Sequence, residues 1–177
     1  MTKPTKHFGL ATRPPMRNAL YMPTIITHEE LTRLVRKALP APIQRFQVFY
    51  CDLNYVLMDD HSCASTMLLL SQEVQKIIGP WRSEYRNCNK FGRLFQALGA
   101  ASHARGWIES KKTPNGGLAL GTLSYRTDSG EGHMIVLTLT KVRGKNQIKV
   151  RTFEPQNGEE VFLSETEKKQ GVFNLFI

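Results

Sequence analysis

Apolar positions recur with a helical period in the first part of the chain and with a period of two in the second. Thr27-His28-Glu29-Glu30 has the form of a capping box, with Thr27 at the cap and Glu30 three residues on. Leu31, Leu34, Val35, Ala38 and Leu39 follow at helical spacing, and Pro40 and Pro42 stop that helix near residue 39. Residues 45–56 are rich in aromatic and β-branched side chains and predict a strand, or a strand running into a loop. Asp59-Asp60 or Ser62 is placed to cap a second helix from about Ala64 to Ile78, which Gly79-Pro80 ends. Asn87 is placed to cap a third, carrying Cys88, Phe91, Leu94, Phe95 and Leu98, with Gly99 marking its end and Ala100-Ala101 adding a turn. Leu118 to Arg126, His133 to Lys141, Gln147 to Phe153 and Val172 to Ile177 then read as strands, with hairpin-type turns at 127–132 and 142–146. Helices first and strands second predict an α+β fold, with N-terminal helices packed on a C-terminal antiparallel β-sheet.

Composition sets the outer bounds. A chain of 177 residues with 41% hydrophobic content fits one domain with a packed core. Residues 1–22 are basic, broken by Pro4, Pro14 and Pro15, and read as an arm; residues 23–177 read as the domain. No apolar run is long enough for a membrane span, and the first residues lack the apolar centre of a signal peptide. A cytoplasmic protein is the expectation, in the host cytoplasm if the chain is phage-encoded. The cysteines, Cys51, Cys63 and Cys88, are odd in number and irregularly spaced, which fits neither a disulfide framework nor a zinc knuckle. No metal and no cofactor are expected. The net charge of +9 would attract an acidic protein partner or nucleic acid. Its densest group, Lys141-Arg143-Lys145-Lys149-Arg151, lacks the interleaved aromatics of a single-strand binding face.

Within these bounds one set of residues suggests chemistry. Cys88 starts a predicted helix, where unpaired N–H groups and the helix dipole favour a thiolate. His133 opens a strand 45 positions later, and Glu154-Pro155-Gln156 closes the next strand, with Glu154 lying 21 positions beyond His133. In an antiparallel hairpin, the start of one strand and the end of the next lie at the same end. Strand direction alone therefore predicts that His133 and Glu154 approach each other. A thiolate, an imidazole that moves its proton and a carboxylate that orients the ring form a nucleophilic triad.

The runs Trp81-Arg82-Ser83-Glu84-Tyr85-Arg86-Asn87-Cys88-Asn89-Lys90-Phe91, Gly132-His133 and Phe153-Glu154-Pro155-Gln156 resemble a family of papain- or transglutaminase-like domains. These occur in phage and bacterial proteins and in the protease domain of a mushroom agglutinin. The resemblance covers roughly residues 81–156. It implies a papain-like fold and a triad of Cys88, His133 and Glu154. Asn89 and Lys90 stand where family members often have acidic residues, which weighs against the divalent cation that some members bind. Met134 stands where a small residue is commoner.

The implied activity is cysteine-dependent amide hydrolysis or acyl transfer on a protein or peptide substrate. Gln156 would support the ring or the substrate. The oxyanion hole would use the Cys88 N–H and a second donor, for which Asn87 and Tyr85 are the candidates. Two other readings stand beside it. One is a non-catalytic basic binding or inhibitor protein acting on a host protein or nucleic acid. The other is a structural protein with an inert cysteine.

Overall fold

The computed structural model describes residues 24–40, 46–80, 87–109, 116–170 and 173–177. The expected arm at 1–22, the connector at 81–86 and most of the loop at 111–117 lie outside the described residues.

The first helix forms as its capping signal predicts. Strand β1 (Ile25–Thr27) leads into α1 (His28–Ala38), and the Thr27 side chain accepts a hydrogen bond from the Glu30 N–H at 3.3 Å. The apolar run at 45–56 divides into β2 (Phe46–Phe49) and β3 (Asn54–Val56), which join different sheets. Hydrogen bonding between the two strands explains the split. The Cys51 N–H turns away to the Ile177 carbonyl, and the buried Tyr55 hydroxyl accepts from the Cys51 and Asp52 N–H groups while donating to Ile177.

After β4 (Met58–Asp59), helix α2 (Asp60–Ile78) starts four residues earlier than its apolar pattern suggests. Asp59 holds the N-cap position without a side-chain cap bond, and its Oδ2 pairs with Arg143 at 2.9 Å. Gly79, at φ 74°, ends the helix as expected. Helix α3 (Cys88–Glu109) starts where predicted but continues well past Gly99. That glycine serves packing rather than termination, since a Cβ there would collide with the Leu120 side chain.

The remaining strands are β5 (Gly117–Leu118), β6 (Leu120–Arg126), β7 (Gly132–Lys141), β8 (Ile148–Phe153) and β9 (Phe173–Phe176). Helix α4 (Glu165–Gln170) lies between the last two. The larger sheet runs β2-β9-β6-β7-β4, with β8 on the other edge of β7; β1, β3 and β5 form a smaller sheet. The α+β class holds. The expectation of a purely antiparallel sheet does not, because β2 pairs parallel with β9, β4 with β7 and β3 with β5. Early strands are inserted beside late ones, and such pairs need long crossovers that a local turn signal cannot reveal.

Strand alternation divides the core in two. Ile135, Leu137 and Leu139 of β7 join Leu31, Val35, Tyr55, Leu123 and Tyr125 on one side of the sheet. Val136 joins Met67, Val74, Phe91, Phe95 and Phe153 on the other, under α2 and α3. Phe91 and Phe95 are fully buried, and each contributes roughly 1.5–3 kcal/mol through burial. They fix the first turns of α3, and with them Cys88, against the sheet. No helix among the described residues is long and apolar enough to cross a membrane.

Candidate functional site

Cys88 is the first residue of α3, and Asn87 caps that helix as expected: its Oδ1 accepts the Lys90 N–H at 3.3 Å, and its carbonyl accepts the Lys90 and Phe91 N–H groups. One turn on, Gly92 lies flush against the sheet. A Cβ at Gly92 would stand 2.8 Å from Met134 Sδ and 3.3 Å from Thr122 Cγ2. The missing side chain lets the start of α3 approach the start of β7 closely.

His133 is the second residue of β7 and faces Tyr125 of β6 directly across the ladder. Their rings meet edge to face at 5.8 Å. Because successive strand residues point to opposite faces, His133 lies on the side of Tyr125 and Ile135, whereas Met134 lies under α3. Sulfur and imidazole meet at the rim of the sheet. The ladder between β7 and β8 ends at the Val136–Phe153 pair, so the first residues of β7 have no β8 partner. Cys88 reaches this uncovered edge. Its sulfur lies 3.9 Å from Asn89 Oδ1, and the His133 side chain and the Met134 N–H both favour its thiolate form.

The chain leaves β8 through Glu154. The Glu154 N–H bonds the Glu159 carbonyl and its carbonyl accepts the Gly158 N–H, both at 2.8 Å, closing a tight loop. This loop turns the Glu154 carboxylate back toward β7, where its Oε2 accepts the His133 Nε2–H at 2.9 Å. The other oxygen, Oε1, accepts the Gln156 N–H at 3.4 Å. Gln156 therefore supports the carboxylate through its backbone. Its carbonyl in turn accepts from the Gln75 side chain of α2. The hairpin argument from strand direction thus corresponds to a direct contact.

The three groups reinforce one another electrically. The His133 hydrogen bond is the main cause that lowers the Cys88 pKa, opposed by burial and aided by the Met134 and Asn89 N–H groups. The His133 pKa is raised to about 10, first by the bond to Cys88 and then by the bond to Glu154. Burial opposes that shift, since the His133 side chain is 26% exposed and that of Glu154 18%. Each charged form thus favours the other, the thiolate at Cys88 and the imidazolium at His133. Burial raises the Tyr125 pKa to about 12, so its phenol stays neutral beside the imidazolium.

The other sequence candidates fall elsewhere. Cys51 is exposed, and Cys63 is buried on the inner face of α2 with its pKa raised to about 12 by burial. Asn87 has its Oδ1 committed to the helix cap; Tyr85 lies outside the described residues. The basic group at 141–151 is less of a free patch than its sequence suggests. Arg143 pairs with Asp59, Lys149 with Asp60, and Arg151 with Asp60 and Glu160. Among the described residues, no group of three or more His, Cys, Asp or Glu side chains converges to hold a metal ion. Sequence reasoning missed Tyr125, Gly92 and the Met134 N–H, whose roles depend on register and close approach; the direct Tyr125–His133 pairing follows once the 127–132 turn is drawn as a hairpin.

No family model and no curated protein sequence matches the chain. Solved structures do. The chain resembles the protein in the PSL1a-E64 complex, with a TM-score of 0.61 and 23% identity over 86% of this chain and 51% of that one. It also resembles Polyporus squamosus lectin bound to the human-type influenza-binding epitope Neu5Aca2-6Galb1-4GlcNAc, with a TM-score of 0.54 and 26% identity over 77% of this chain and 45% of that one. The chain thus spans about half the length of these mushroom-lectin neighbours, and at such identity the likeness is one of fold.

Proposed function

We propose that the chain is a cysteine-dependent amide hydrolase or acyl transferase with a papain-like arrangement of Cys88, His133 and Glu154. The observation that supports it is the convergence of the three groups: the Glu154 carboxylate holds the His133 ring at 2.9 Å, and that ring is the main influence lowering the Cys88 pKa. In this reading the Cys88 thiolate attacks an amide carbonyl carbon, forming a C–S bond and a tetrahedral oxyanion. The Cys88 N–H at the start of α3 is one donor to that oxyanion, and Asn87 Nδ2 is the candidate for the second. His133 gives its proton to the leaving amine as the C–N bond breaks, which leaves a thioester. It then takes a proton from the water or amine that attacks the thioester, and the thiolate is regenerated. Glu154 holds the ring in position and balances its charge throughout.

The glycan epitope named with the neighbouring lectin belongs to a chain about twice as long, and the proposal does not rest on it. The E64 complex of the PSL1a neighbour suggests E64 as a first probe. Iodoacetamide and E64, followed by mass spectrometry, should label Cys88 at near-neutral pH well before Cys51, and leave Cys63 unlabelled until the chain unfolds. His133→Ala should abolish the selectivity. Cys88→Ser should keep the fold and lose all amide cleavage on a peptide library. If Cys88 reacts no faster than Cys51, or keeps its rate in His133→Ala, the proposal fails.

A further inference from the structure

We infer that Arg151 is a positioning residue for the triad: it fixes the base of the loop that aims Glu154 at His133. This inference rests on the function proposed above. Arg151 lies in β8, two residues before the loop begins, and its side chain is only 15% exposed. Its Nε and Nη2 hold both carboxylate oxygens of Glu160 at 2.8 and 2.6 Å. Glu160 faces Phe153 across an isolated β-bridge, and these two residues are the feet of the loop carrying Glu154. The guanidinium also lies 5.1 Å from the ring centroid of Phe153, the residue immediately before Glu154. One side chain thus grips both feet. Its Nη1 reaches the Asp60 carbonyl at 3.3 Å and the Asp60 carboxylate at 3.4 Å, which ties the loop base to the first turn of α2.

Such a bidentate pair fixes direction as well as distance, and a lysine reproduces the charge but not the fork. The Glu154 backbone bonds to Glu159 and Gly158, directly beside Glu160. A shift of Glu160 is therefore passed to Glu154 within two residues. A displacement of about 1 Å at a reacting group can cost roughly 100-fold in rate.

The test follows His133 and Cys88 directly and needs no substrate. The titratable groups that face His133 are Cys88 from α3, Glu154 after β8 and Tyr125 from β6. The full chain and its Arg151→Met, Arg151→Lys and Glu160→Gln variants would be compared by NMR titration of His133 and by Cys88 alkylation with iodoacetamide. In Arg151→Met and Glu160→Gln, His133 should titrate at lower pH than in wild type, and alkylation at neutral pH should slow about tenfold. Arg151→Lys should restore part of both. Glu160→Gln keeps the size of the side chain, so it decides the matter if Arg151→Met does not fold. Folded variants with wild-type His133 titration and Cys88 reactivity would overturn the inference alone. An ordinary His133 titration in the wild type would overturn it together with the proposed function.

Discussion

Gly92 of α3 and Met134 of β7 touch where no side chain could fit between them. A Cβ at Gly92 would stand 2.8 Å from Met134 Sδ and 3.1 Å from its Cγ. Alanine at this position gains about 1 kcal/mol of helix propensity but forces the buried methionine aside, a change that typically costs about 1–3 kcal/mol. Gly92→Ala should therefore change the thermal midpoint little and still slow Cys88 alkylation, because α3 lifts away from His133. Gly92→Val should lower both. Unchanged alkylation in both variants would show that the close approach does not set the position of Cys88.

Glu154→Gln keeps the shape of the triad and removes its charge. His133 has a folded pKa of about 10 against an ordinary value of 6.5. Its folded value is raised, so the stabilisation carried by the imidazolium is complete below 6.5 and disappears as the pH rises through about 10. The gap in thermal midpoint between wild type and Glu154→Gln should be widest just below 6.5 and close toward pH 10. A gap that stays constant over that window would mean that Glu154 acts by packing alone.

Gly158 closes the Glu154 loop at φ 74°, with the α2 backbone directly beneath it. A Cβ there would approach Leu68 Cα at 2.6 Å and Leu68 N at 2.8 Å, and backbone atoms cannot turn aside as a side chain can. Gly158→Ala should cost about 1–2 kcal/mol for the left-handed conformation alone, and more for the collision. Each kcal/mol lowers the midpoint by about 2–4 °C in a chain of this size. Cys88 alkylation should fall with it in the folded fraction. A midpoint equal to wild type would remove the loop's seat on α2 from the account.

The parts of the site that were legible in the sequence are those fixed by local rules. Asn87 and Cys88 are legible because a cap and the residue after it are neighbours. His133 and Glu154 are legible because two strands joined by a tight turn must run in opposite directions. Gln156 is expected from its position to support the ring or the substrate, whereas the contact it makes is from its backbone N–H to the Glu154 carboxylate. Gly99 looked like a helix end because a glycine reads the same whether it stops a helix or lets a leucine pack against it. The short β1 and α4 carry too few residues for a periodic signal, and the parallel pairings of β2 and β4 depend on partners more than eighty residues away. Arg151 read as one basic residue among several, because its acidic partners Asp60 and Glu160 come from a distant helix and the far side of a loop.

Cys88 and His133 come together across the rim of the sheet, with sulfur delivered from one face and imidazole from the other. Neither half-layer alone can bring them together. During synthesis or partial unfolding, residue 88 therefore lacks the imidazole that lowers its pKa in the packed fold. The electrical coupling of residues 88 and 133 is thus a signature of completed packing, and its loss would report an opened fold.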